Sequence, residues 1–168
     1  MAVPGIAIRM EHNDAKIRAK LLNLLAFGRD QSDAMRDIAI LGGSSTRERF
    51  RTEVGPDGKR WKPSLRVQIS GGRTLTQDGH LGDSINIRSG RDFAEWGVNR
   101  IYAAIHQFGG KIKPKSAASL RFRLANGAFV SAKSVTIPAR PYLGIDAGDE
   151  ADILDILQSR IQGFVNAG

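Results

Sequence analysis

Apolar residues recur at helical spacing near both ends of the chain and alternate at period two between them. After the Pro4-Gly5 breaker, Ile17, Leu21, Leu24 and Leu25 share one stripe, with Lys16, Arg18 and Lys20 on or near the other side. Asn13 or Asp14 stands where a cap belongs, and this helix is expected to reach about Ala26 before Gly28 stops it. Gln31-Ser32-Asp33 opens a second helical segment, whose buried face carries Ala34, Ile38 and Leu41. Paired glycines weaken a helix, so a break is expected at Gly42-Gly43. A further helical run, Thr46 to about Glu53, then carries Phe50 as its one large apolar anchor.

Glycine and proline dominate the next stretch. Gly55-Pro56-Asp57-Gly58 is a turn signal, because proline presets one dihedral and glycine accepts a positive one. With Gly71-Gly72 and Asp78-Gly79 as further breaks, residues 55–82 read as an irregular loop, expected to be mobile from Arg60 to Leu81 before assembly. Trp61 reads as a plug under this loop, with a partner-contact anchor as the alternative.

From Ser84 the period is two. Ser84 to Arg88 and Phe93 to Val98 form one predicted hairpin, and Leu120 to Leu124 and Ala128 to Val130 form another across the Asn126-Gly127 turn. Between them Ile101, Ala104, Ile105 and Phe108 outline a short helix ended by Gly109-Gly110, and Val135 to Ile137 suggests one more strand. Asp149 is the expected cap of a final helix bearing Ile153, Ile156, Leu157, Ile161 and Phe164. The pattern is α+β: N-terminal and C-terminal helices packed on a mostly antiparallel sheet of two hairpins, in one domain spanning 1–168.

Charge sharpens this picture. The formal net charge is +8, yet residues 96–145 hold eight basic residues and no acidic one, while the tail from Asp146 holds five acidic residues against Arg160. The excess therefore sits in one fifty-residue stretch. Such polarity suits attraction between neighbouring copies, or to a polyanion. Lys111, Lys113 and Lys115 project from a loop or edge strand, and Arg121 and Arg123 share the solvent face of the second hairpin. Asp149, Glu150 and Asp152 crowd the first turn of the last helix, where negative charge suits the helix dipole. A basic surface without exposed stacking rings or a reading helix fits protein contact, or non-specific contact with passing DNA, rather than sequence reading.

Catalysis finds little support here. There is no cysteine, which excludes disulfides and thiolate metal sites, and the three histidines are scattered without zinc spacing. His106 reads as a hydrogen-bonder at a helix end or an interface residue. An enzymatic reading would need it beside an aspartate and a serine in an open pocket. No cofactor or metal is expected, and no run of residues is long and apolar enough for a membrane span.

Five segments resemble a known group. They are Arg49-Phe50 with Gly55-Pro56-Asp57-Gly58 and Trp61-Lys62-Pro63; Leu75 to Ile85; Val98 to Gly110, containing Tyr102-Ala-Ala-Ile-His-Gln-Phe-Gly-Gly110; Ile137-Pro-Ala-Arg-Pro-Tyr-Leu-Gly144; and the closing helix with its acidic start. Together they resemble the phage virion morphogenesis family, the tail completion proteins of Mu-like and P2-like contractile-tailed phages. The chain departs from commoner members between Leu65 and Arg73 and at Gly82-Asp83. The resemblance implies a non-enzymatic virion protein at the head-proximal end of the tail, assembled in the host cytoplasm. The implied partners are copies of itself in a hexameric ring, the tail tube protein and head–tail connector proteins. A head-side connector lining the DNA channel is the alternative.

Interface candidates follow from the residues themselves. Pro138 and Pro141 stiffen the approach to Tyr142 and Leu143, and Arg140 between them is suited to clamp a carboxylate. Tyr102, Phe108 and Tyr142 are candidate contact rings, with packing in the chain's own core as the competing reading.

Overall fold

The computed structural model describes residues 15–166, so the expected cap at Asn13 or Asp14 lies outside the described residues. Five helices and six short strands follow one another: α1 (Ala15–Arg29), α2 (Ser32–Thr52), α3 (Leu65–Ser70), β1 (Ile85–Ser89), β2 (Ala94–Val98), α4 (Ala103–Phe108), β3 (Gly110–Ile112), β4 (Leu120–Arg123), β5 (Phe129–Ala132), β6 (Val135–Ile137) and α5 (Ala147–Asn166). The class is α+β, as the pattern predicts. Both expected hairpins form, β1 with β2 and β4 with β5, but they do not merge into one sheet. With the pair β3–β6 they make three separate two-stranded antiparallel ribbons.

The spine is α2, and it runs unbroken through Gly42 and Gly43. The expected break is absent because both glycines serve packing. A Cβ on Gly42 would come 2.6 Å from Cε3 of Trp96, and one on Gly43 would come 2.7 Å from Cγ2 of Ile87. The missing side chains let the β1–β2 ribbon lie directly on the helix, and tertiary contact outweighs the local cost of glycine, about 1 kcal/mol each.

On another side α2 packs against α5, where the Nε of Arg160 donates to Asp37 Oδ2 at 3.1 Å. Helix α1 continues through Gly28 and leans on α5, bringing Phe27 within 5.3 Å of Phe164 between ring centroids. None of its residues is buried. Ile17, Leu21, Leu22 and Leu25 remain more than half exposed, so its apolar stripe is largely uncovered among the described residues.

The core gathers at the C-terminal end of α2. Phe50, Trp61, Leu81, Ile85, Ala103 and Tyr142 are buried there, with Leu75, Val98 and Leu143 packed around them. Phe50 meets Trp61 edge-on at 5.5 Å and Tyr142 at 5.2 Å. Such aromatic pairs add about 0.5–1.5 kcal/mol each beyond their buried area. The segment 55–82 contributes directly to this core. It contains α3, capped by Ser64, which accepts from the Val67 amide, and it buries Trp61, Thr74 and Leu81.

Candidate functional site

Two of the segments singled out above, residues 102–110 and 137–144, are some thirty residues apart in sequence and joined in space. Helix α4 projects Gln107 onto the second segment, where its Oε1 accepts from the amides of both Tyr142 and Leu143 at 3.0 Å and its Nε2 donates to Leu143 O at 2.9 Å. One side chain thereby satisfies three backbone groups of a proline-rich segment that forms no strand at that point. Tyr142 answers by donating its hydroxyl to Ala103 O at 3.1 Å, and the Arg140 amide donates to His106 O at 2.8 Å. Burial pushes the Tyr142 phenol up to about 12. Gly109 (φ +69°) makes the closeness feasible, since a Cβ there would come 2.6 Å from the Ala139 nitrogen.

Trp61 closes the unit from the other side by donating Nε1 to Pro141 O at 2.8 Å, and the Nε of Arg140 donates to Lys62 O at 2.6 Å. Below this junction Arg49 reaches out of α2. It donates to Gly144 O at 2.8 Å and pairs with Asp146 at 2.9 Å and with Asp149. Those two aspartates also cap α5 reciprocally: the Asp149 amide donates to Asp146 Oδ1 at 2.9 Å, and the Asp146 amide to Asp149 Oδ2 at 3.1 Å. The cap of the last helix is therefore Asp146, three residues before the expected Asp149. The amide of Asp149, then the guanidinium of Arg49, holds the Asp146 carboxyl below its ordinary value.

These ties bury four of the interface candidates and correct three of them, Trp61, Tyr142 and Asp149. Tyr142 is 1% exposed, Arg140 4%, Trp61 5% and Asp149 7%. Trp61, Tyr142 and Asp149 are committed to contacts inside the chain and are not presented to a partner, because the proline-stiffened segment folds inward onto Gln107 rather than outward. Arg140 is buried as well, at the wall of a cavity.

The remaining candidates lie on the surface. Tyr102 is 40% exposed and Phe108 78%, beside Ile101, which is fully exposed. Lys111, on β3, and Lys113 and Lys115 after it are exposed, as are Arg121 and Arg123 on β4. Glu150 and Asp152 are exposed on α5. Sequence reasoning missed Phe129, which pairs in register with Arg123, lies under its guanidinium at 5.8 Å and stays 83% exposed. Counting back from the Asn126-Gly127 turn would have placed it on the arginine face.

A cavity of about 350 Å³ opens beside the junction, and His106, Ser64 and Asp78 all line it. They are not linked. Ser64 Oγ caps α3, and the buried Nδ1 of His106 has no partner among the described residues. The His106 ring stands edge-on to Tyr102 at 5.9 Å, and burial, then the charge of Arg140, lowers its pKa. Among the described residues no three histidine or acidic side chains gather as a metal site would require, and no helix is long and apolar enough to cross a membrane.

Comparison with known proteins matches residues 12–162 to the sequence model of the phage virion morphogenesis family. Over 129 residues the chain is 33% identical to the "Putative capsid assembly protein G" of Escherichia phage Mu, covering 70% of this chain and 71% of that one. Over 156 residues it is 32% identical to the "Mu-like prophage FluMu G protein 2" of Haemophilus influenzae, covering 92% and 96%. No solved structure matches the chain.

Proposed function

The chain belongs to the phage virion morphogenesis family, and from that premise we propose that it completes the tail at its head-proximal end and makes it competent to join the head. A part in building the virion is shared with the family and is not in question. The tail-end placement is the finer reading, in which copies associate as a ring on the tail tube and meet the head–tail connector proteins.

The observation that carries it is the junction of residues 102–110 with 137–144. Its inner face is pinned by hydrogen bonds, while Ile101, Tyr102 and Phe108 are left outside. A rigid mount under exposed apolar side chains is what a docking element needs, since little freedom remains to be lost on binding. It acts by contact, without chemistry. The test is complementation: tails made without this protein should accumulate unjoined to heads, and adding the purified chain should restore infectious particles. Normal joining in its absence would overturn the reading.

Two other readings have one observation each. The phage Mu relative is named for capsid assembly, which favours a head-side connector with the basic stretch facing DNA. Salt-dependent DNA binding with a slope reduced by neutralising Lys111, Lys113 and Lys115 would select that placement. The shared cavity of Ser64, Asp78 and His106 favours a hydrolase. Labelling of Ser64 by a serine-directed phosphonate would select it, against the missing hydrogen bonds between the three.

A further inference from the structure

Removing a guanidinium from water without an opposite charge is costly, and Arg140 is in that position. It is as buried as Arg49, each 4% exposed, yet Arg49 holds two carboxylates and Arg140 none among the described residues. Its Nε is taken by Lys62 O, whereas its two terminal nitrogens have no hydrogen bond among the described residues. The side chain forms part of the wall of the cavity of about 350 Å³, with Arg66, His80, Tyr102 and His106. His106 brings a second unsatisfied group, its buried Nδ1. Two polar groups that lack a partner among the described residues thus meet at one opening.

The complementary lack lies on α5. Glu150 and Asp152 are exposed and make no ion pair among the described residues. Glu150 has Leu154, 52% exposed, one turn further along the same face. No residue of α5 lines the cavity within the same chain.

We infer that this cavity receives the Glu150 carboxylate of a second copy of the chain, with Leu154 of that copy set against Tyr102 at its wall. The guanidinium fork matches a planar carboxylate, and Leu75, Leu81 and Tyr102 supply apolar lining beside it. Asp78 on the cavity wall disfavours a doubly charged phosphate more than a single carboxylate. The inference rests on the reading that copies associate, and it names the contact that joins them.

The absence of cysteine supplies the test. Gln77, exposed at the cavity, and Ala151, exposed beside Glu150, are changed separately, Gln77→Cys and Ala151→Cys. The two variants are mixed and oxidised in the presence of tail tubes. A mixed disulfide dimer is expected, with its yield falling at least about tenfold when Glu150→Gln is added to the Ala151→Cys copy, since one partner of a buried charge pair is then lost. Glu150 is a surface residue, so this variant folds whatever becomes of Arg140 variants. Copies that associate by mass as strongly with Glu150→Gln as without it, and form no mixed dimer, would overturn the inference and leave the proposed function standing. Copies that never associate, even on tube ends, would remove both. Loss of the cross-link on adding a short DNA duplex or inorganic phosphate at equal concentration would assign the cavity to phosphate and overturn it as well.

Discussion

The indole of Trp96 covers the face of α2 at Gly42, with ring carbon Cε3 2.6 Å from where a Cβ would be. Alanine is the better helix former by about 1 kcal/mol, yet Gly42→Ala should lower stability by about 1–3 kcal/mol as the ribbon is forced off the helix. Gly28→Ala is the control, because nothing lies within 4 Å of its missing Cβ. It should raise stability by about 0.5 kcal/mol. Urea midpoints of the two variants should move in opposite directions.

Arg49 ties α2 to the start of α5 through two carboxylates, one of them buried. Arg49→Met should cost about 3–5 kcal/mol, because Asp149 is left as an unpaired buried charge, and Arg49→Met with Asp149→Leu should recover part of the loss. Thermal melts of the single and double variants check this.

Asp146 provides a pH signature. Its folded pKa lies below the ordinary 3.8, so its contribution is fully present above that value and is lost as pH falls through the lower folded value. Asp146→Asn should flatten the stability profile below about pH 4. The change should be modest and should shrink in high salt, since the side chain is 40% exposed. Denaturant titrations at a series of acid pH values would show it.

Tyr142 gives the opposite sign at the alkaline end. Burial raises its pKa to about 12, so its contribution is complete below the ordinary value of 10.0 and fades as pH rises through 12. Spectrophotometric titration should show a late phenolate step near that pH, absent in Tyr142→Phe. The same variant should lose about 1 kcal/mol, because the hydroxyl no longer serves Ala103 O.

Ile101 and Phe108 are exposed at the junction rather than packed in it. Ile101→Ser with Phe108→Ser should leave stability within about 0.5 kcal/mol of the parent while reducing rescue of unjoined tails. Equal loss of folding and rescue would count against a docking role for these residues.

How much of this was legible follows the range of the signal. Alternation and turn chemistry specify β1–β2 and β4–β5 because both strands and the turn are local. Of the pair β3–β6, the strand Val135–Ile137 is expected from the sequence, but its partnership with β3 escapes because three-residue strands carry no period and meet across more than twenty residues. Gly42-Gly43 misleads because propensity is local, whereas what keeps α2 straight is a tryptophan more than fifty residues away. The stripe on α1 reads correctly as apolar, but spacing says nothing of what covers it, and among the described residues it stays largely exposed beside α5. Among the candidates, Arg121 and Arg123 stand exposed on β4 as the alternation places them, whereas the earlier start of α5 leaves Asp149 buried and Asp152 past the first turn. Tyr142 and Arg140 turned inward because Gln107 and Lys62 receive them, and no local pattern announces a side chain that satisfies distant backbone. The Asp146-x-x-Asp149 spacing did carry the capping box, with the cap three residues before the position expected for it.

The foot of the β3–β6 pair is held where Gly109 meets Ala139, while the β4–β5 hairpin beyond it turns at exposed Ala125 and Asn126. That tip is closed by its own bonds, Gly127 N to Leu124 O at 2.9 Å and Ala128 N to Asn126 Oδ1 at 3.1 Å. Exposed loop tips of small and polar residues tolerate added groups. A short epitope or fluorophore grafted at the tip would act as a flag on a pole, letting a microscope locate this subunit in the finished particle.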